Sequence, residues 1–121
     1  MKLSQLINRS SKGKAAEGFA CRYLEQNGLR LIEKNFHSRF GEIDLIMQHE
    51  NALVFVEVRY RKNQSFGGAK ASITPGKQSR IKKTALFYMQ KKGREFNARF
   101  DVIAMTGNDP SLSYEWIQNA F

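Results

Sequence analysis

Residues 41–61, GEIDLIMQHENALVFVEVRYR, constrain this chain more than any other stretch. Apolar side chains recur at every second position through Ile43, Leu45 and Met47, and again through Val54, Val56 and Val58. Period-two alternation rich in β-branched residues is a strand signature. A two-residue turn at Glu50-Asn51 would join the two strands as a hairpin. In that register Asp44 lies opposite Glu57 and Glu42 opposite Arg59, on one face with Ile46 and Phe55. The other face, carrying Ile43, Leu45, Met47, Val54, Val56 and Val58, is wholly apolar and belongs in a core.

The polar face carries the chemistry. Directly opposed side chains sit about 4.5–5.5 Å apart at Cβ, where like charges destabilise a sheet. A solvated face with a Glu42–Arg59 pair accounts for two of the four groups and leaves Asp44 against Glu57. Two carboxylates that close are tolerable with a divalent cation between them, because Mg²⁺ is held by one or two carboxylates plus waters and substrate phosphate. The pairing depends on the register, and a bulge would break it.

Charge narrows the partner. The formal net charge is +9, and no Asp or Glu occurs between Val58 and Arg94. That span holds Arg59, Arg61, Lys62, Lys70, Lys77, Arg80, Lys82 and Lys83 among its cations. Solubility alone explains many basic proteins, but a block without counter-charge favours a polyanion, nucleic acid first. The 121 residues suit a single domain over 1–121, with 1–10 as a loose lead-in. Cys21 is the sole cysteine, which excludes an intrachain disulfide, and it reads as a small buried side chain. His37 and His49 stand in no zinc-ligand spacing and read as surface residues. No apolar run is long enough to span a bilayer, and Gln5, Asn8 and Arg9 interrupt any signal-peptide core. A cytoplasmic protein with no membrane partner is expected.

Along the chain, Ser10 or Ser11 caps a helix to about Asn27, stopped by Gly28. Ala16, Phe19, Ala20, Tyr23 and Leu24 form its apolar stripe, with Glu17 at the edge. Glu17 alone reads as a solvated residue, unless a metal site lies beneath the helix. A strand follows over Leu29–Phe36, then the hairpin. Residues 62–74, KNQSFGGAKASIT, read as a loop in which Phe66 is an anchor or a base-stacking aromatic, the anchor being favoured. Thr74 and Pro75 open a second helix that Gly93 ends, with Ile81, Ala85, Tyr88 and Met89 inward and the lysines and arginines outward. Arg99–Met105 and Tyr114–Ile117 are further strands, and Trp116, Ile117 and Phe121 are expected to pack on the body. The order describes a mixed α/β domain with helices on the sheet.

Asp44, a gap of 12 residues, then Glu57-Val58-Arg59 resembles the PD-(D/E)xK nuclease signature, and the element order resembles that superfamily's restriction-endonuclease-like core. More closely, GEIDLI and VFVEVR, with the helix before them and RFDVIA after, resemble the YraN family of small bacterial proteins. The likeness covers about residues 10–118. It implies a three-layer core with a mixed central sheet, and Asp44 and Glu57 as ligands of Mg²⁺ (or Mn²⁺). Glu17 would match the helix carboxylate of the archaeal Holliday-junction resolvases of the same superfamily. The activity implied is metal-assisted phosphodiester hydrolysis of DNA, branched DNA included, with Arg61, Lys62, Lys70, Lys77, Arg80 and Lys83 holding the backbone.

Arg59 departs from the signature, which has lysine there. Arginine stays protonated and presents a planar fork, so it clamps phosphate well but accepts a proton poorly. Lys77, at the start of the basic helix, is the candidate to take over, and Gln78 on its inward side is a weaker one. Three readings stand: a DNA endonuclease, a DNA- or RNA-binding module that keeps the fold without turnover, and an RNA- or ribosome-associated protein that shares only the architecture. DNA is favoured over RNA. Symmetric cutting of two strands would call for a homodimer, which the Val/Ile-rich edge strands could supply.

Overall fold

The hairpin forms with the expected two-residue turn: His49 pairs with Ala52, and Glu50 takes the positive φ of 55° that the tight turn demands. A computed structural model describes residues 9–63, 68–93, 97–107 and 112–121, the side chains of 9–12, 69 and 70 excepted. Its elements are α1 (Arg9–Gln26), β1 (Arg30–Ser38), β2 (Gly41–His49), β3 (Ala52–Arg61), α2 (Gly68–Ala71), α3 (Pro75–Lys92), β4 (Asn97–Thr106) and β5 (Ser113–Ile117). The five strands form one sheet in the order β1-β2-β3-β4-β5, with β3 and β4 parallel and the other neighbours antiparallel.

A parallel pair needs a crossover, and α3 lies in the β3–β4 connection. Thr74 caps it by accepting from the Lys77 N–H, Pro75 occupies its first turn, and Gly93 closes it with φ 76°. Gly28, at φ 93°, likewise ends α1, where the N–H groups of Asn27 and Leu29 both bond Leu24 O. One apolar layer joins Ala16, Ala20, Cys21 and Leu24 of α1 to Leu45, Met47, Val54, Val56 and Val58. A second joins Ile81, Ala85 and Tyr88 of α3 to Phe36, Ile46, Leu53 and Phe55. The sheet is therefore covered on both faces, a mixed α/β arrangement consistent with a restriction-endonuclease-like core. Fully burying each such aliphatic or phenyl side chain contributes about 1.5–3 kcal/mol.

Several expectations need correction. The first helix starts at Arg9, so Arg9 and Ser10 are helical, and residues 1–8 of the expected lead-in lie outside the described residues. The 62–74 segment contains the short α2 rather than loop alone, and Phe66 also lies outside the described residues. Ile43 packs with the α3-side cluster, not with Leu45 and Met47. Phe55 and Ile46 are 1% and 0% exposed, so the face that carries Asp44 and Glu57 is covered away from its charged end, as those two apolar residues suggest, and a solvated face is ruled out. His49 is half-buried because its Nδ1 meets Arg99 Nη2 at 2.9 Å. Trp116 packs with the α1-side layer, and Phe121 stacks on Phe100, as expected of them. Among the described residues no helix is long and apolar enough to cross a membrane.

Candidate active site

The site begins where the β2–β3 ladder ends. The β2–β3 pairing runs from His49↔Ala52 to Leu45↔Val56. Beyond it, Asp44 Oδ2 accepts the Val58 N–H at 2.8 Å, so a side chain takes a bond that a neighbouring strand would otherwise supply. On the other side, β1 pairs Lys34 with Leu45 and Phe36 with Ile43, and between them Asn35 adopts φ 53°. Asn tolerates that left-handed conformation better than most residues. The face change between Ile43 and Leu45 falls at this point. Asp44 consequently meets groups from both helical layers: Glu17 of α1 on one hand, and the residues facing α3 on the other.

The acids crowd one another. Asp44 carries a pKa raised to about 8, first by burial, then by its hydrogen bond with Glu57 and by the charge of Glu57. The Val58 N–H and Arg59 act in the opposite direction and do not cancel these effects. Glu17 is raised to about 7 by burial and by the charge of Asp44. With its amide nitrogen turned toward the acids, Asn35 donates to Glu17 Oε1 at 3.1 Å and to Glu42 Oε1 at 2.9 Å. The expected Glu42–Arg59 pair does not form. Glu42 instead lies 3.8 Å from His37 Nδ1, and Arg59 Nη2 lies 3.6 Å from Glu57 Oε2 on its own strand. The cause is the early end of the β2–β3 ladder, which stops short of the position where Glu42 and Arg59 would face each other.

Asp44, Glu57 and Glu42 line a pocket of about 250 Å3, and Arg59, Lys77 and Arg80 contribute its cations. Lys77 has its pKa lowered, chiefly by the charge of Arg59 and then by burial. Arg59 Nε is buried and has no partner among the described residues. Gly41 completes the rim with φ 151°, and a Cβ there would lie 3.6 Å from Thr84 Oγ1. Thr84 is fully buried, donating to Arg80 O and accepting from Ser38 Oγ, which ties α3 to the β1–β2 turn.

The structure thus brings Asp44, Glu57, Arg59, Lys77 and Arg80 into one pocket and places Glu17 beside Asp44. Arg61 is exposed, donates to Tyr60 O, and is close enough to depress Lys77. Lys62 and Lys83 are exposed and do not line the pocket, and the Lys70 side chain lies outside the described residues. Gln78 donates to Ile73 O at 3.3 Å, a local bond that takes it out of the pocket lining. Asn35 and Thr84 were not singled out by sequence reasoning. No periodic pattern marks Asn35, and Thr84 differs from a solvated helix threonine only through Ser38, a partner 46 residues away.

Among the described residues no group of three or more His, Cys, Asp or Glu side chains is arranged to hold a metal ion. A cation here would rest on the Asp44–Glu57 pair with water completing its shell, as Mg²⁺ sites commonly do. The donor set fits: two hard oxygen groups, with Asp44 raised to about 8 because burial and the charge of Glu57 outweigh the Val58 N–H and Arg59.

The uncharacterised protein family UPF0102 matches the chain over residues 16–105, a span that includes every residue of the pocket. UPF0102 proteins of Nitrosomonas eutropha and Psychromonas ingrahamii are each 52% identical to it. These matches cover 96% and 100% of this chain, and 97% and 98% of the relatives' lengths. A UPF0102 protein of Colwellia psychrerythraea is 47% identical over 93% of this chain and 89% of its own.

Proposed function

The chain belongs to the UPF0102 (YraN) family, and on that premise we propose that it is a nucleic-acid-binding, metal-dependent endonuclease acting on DNA. One observation carries the reading: two adjacent carboxylates, Asp44 and Glu57, share a single pocket with three cationic side chains. Carboxylates alone would repel a phosphodiester, and cations alone would only bind it. A site with both suits hydrolysis.

Asp44 and Glu57 would hold a divalent cation, which when bound polarises a scissile phosphate and activates water for in-line attack. Arg59, paired with Glu57 and keeping a buried Nε without a partner among the described residues, would clamp a phosphate oxygen and offset the charge that develops in the transition state. Arg80 would hold an adjacent phosphate. Lys77, whose ammonium is made more acidic by the surrounding cations, is better suited than Arg59 to exchange a proton with water. Glu17, held by Asn35, would keep Asp44 in place. A chain of this size has little surface for reading base sequence, which favours recognition of DNA structure.

The test is turnover with Mg²⁺ or Mn²⁺ on linear, flapped, four-way-junction and single-stranded DNA, against an Asp44→Ala/Glu57→Ala double variant. Cleavage by the natural chain and none by the variant supports the reading. Salt-sensitive binding by both with cleavage by neither leaves a binding module, consistent with arginine in the lysine position. Lys77→Ala is expected to lower turnover about 100-fold while changing DNA affinity less than tenfold, within the range that proton transfer contributes. Unchanged turnover removes Lys77 from the mechanism.

A further inference from the structure

Phe87 is 40% exposed and Leu86 53%, two large apolar residues in a helix otherwise rich in charge. Exposed apolar side chains that adjoin one another are candidates for a contact surface. Phe87 is not loose. Its ring lies 6.2 Å from that of Phe36 and 6.5 Å from that of Phe40, and the exposed Arg39 sits 5.0 Å over the Phe40 ring. This cluster adjoins the pocket. Phe40 precedes the rim residue Gly41, and Phe87 follows Arg80 by seven residues, two turns or about 10 Å along α3.

The surroundings are cationic. Arg39 sits over Phe40, Lys83 precedes Phe87 by one turn of α3, Lys91 Nζ lies 6.0 Å over Phe36, and no acid occurs on the chain from Val58 to Arg94. Among the described residues, Glu42 at the rim, Asp44 and Glu57 in the pocket and Glu33 near Tyr88 are acids on this side. Apolar rings in a positive field do not suit a basic or neutral protein partner. They suit a ligand with phosphates and flat aromatic faces. Bases in a duplex are stacked on each other and closed to side chains, whereas unpaired bases stack on phenyl rings and guanidinium planes. At about 3.4 Å per stacked nucleotide, the rings lie within three nucleotides of a phosphate in the pocket.

We propose that Phe87, Phe40 and Arg39 form a stacking platform for an unpaired nucleotide beside the pocket, so that the substrate is nucleic acid single-stranded next to the phosphate attacked. This rests on the endonuclease reading for the role of the pocket, but the platform is a binding surface and is tested as one. Anisotropy is measured on a labelled single strand and a blunt duplex, in EDTA at fixed salt, for the natural chain and Phe87→Leu. Leucine keeps apolar packing against Phe36 and Phe40 and removes the ring.

The expected result is single-strand binding weakened about tenfold with duplex binding within about twofold. A Phe87→Trp variant should keep single-strand affinity, and its added fluorescence should be quenched by the strand and not by the duplex. Equal effects of Phe87→Leu on both probes, or none on either, overturn the platform. So does a dimer in sedimentation that Phe87→Leu dissociates, which would make this face a contact between two copies. Because the cation is chelated throughout, a failure of the endonuclease reading shows only in the turnover assay and leaves this comparison standing.

Discussion

Asp44→Asn is expected to reduce cleavage about a thousandfold or more, equivalent to roughly 4 kcal/mol of transition-state stabilisation. DNA affinity should stay equal or rise, because a negative charge beside the phosphate is removed. A large loss of affinity would count against the metal-site reading. The same substitution should alter the pH dependence of stability. Asp44 has a pKa of about 8 in the fold against an ordinary 3.8, and Glu17 about 7 against 4.5. Between these limits the native chain holds protons that the unfolded chain has released, so the metal-free protein loses stability as pH rises through the window. Below both ordinary values the effect vanishes.

Millimolar Mg²⁺ at pH 8.5 should reverse the loss, since a ligand at about 100 times its Kd stabilises by roughly 2.7 kcal/mol. Asp44→Asn should flatten the pH slope and abolish the Mg²⁺ response. Thermal melts at pH 5.5 and 8.5, with and without Mg²⁺, measure both. An Mg²⁺ response that survives in Asp44→Asn would place the cation elsewhere.

Asp101→Ala is expected to cost about 3–5 kcal/mol of folding stability, the range for breaking a buried ion pair from one side. Asp101 is fully buried and every oxygen is used. Oδ1 accepts from Arg99 Nε at 3.0 Å and from the Asn119 N–H, and Oδ2 accepts from Arg99 Nη2 at 2.9 Å and from Trp116 Nε1. Truncation would strand the Arg99 guanidinium, whose side chain is only 16% exposed, and release the C-terminal segment from β4. For a chain of this length the melting temperature should fall by roughly 10–20 °C. A drop of only a few degrees would show that Arg99 finds water or His49 instead.

Local chemistry explains which features were legible before any coordinates. The hairpin turn, the Thr74-Pro75 start and the Gly28 and Gly93 stops are set within a few residues, and the structure has them as read. The closeness of Asp44 and Glu57 followed from counting back from that turn. The side of the sheet that Ile43 faces did not, because it depends on Asn35 across the β1–β2 ladder and on Val58 captured by a carboxylate 14 residues away. Glu17 could be named only through a family likeness, since nothing on its own helix separates it from a solvated acid. Asp101 sat unmarked inside RFDVIAM, its partners Trp116 and Asn119 lying 15 and 18 residues further on.

The two-residue turn at Glu50-Asn51 works as a ruler for the pocket. It lies six residues from Glu57, about 20 Å of strand, yet it decides which β3 side chain reaches Asp44. Composition there is free wherever a positive φ is tolerated, so Glu50 can become Gly or Asn at little cost. Length is not free: one added residue would move β3 by half a pleat repeat, bringing Val56 or Val58 toward Asp44 and turning Glu57 into the layer beneath α1.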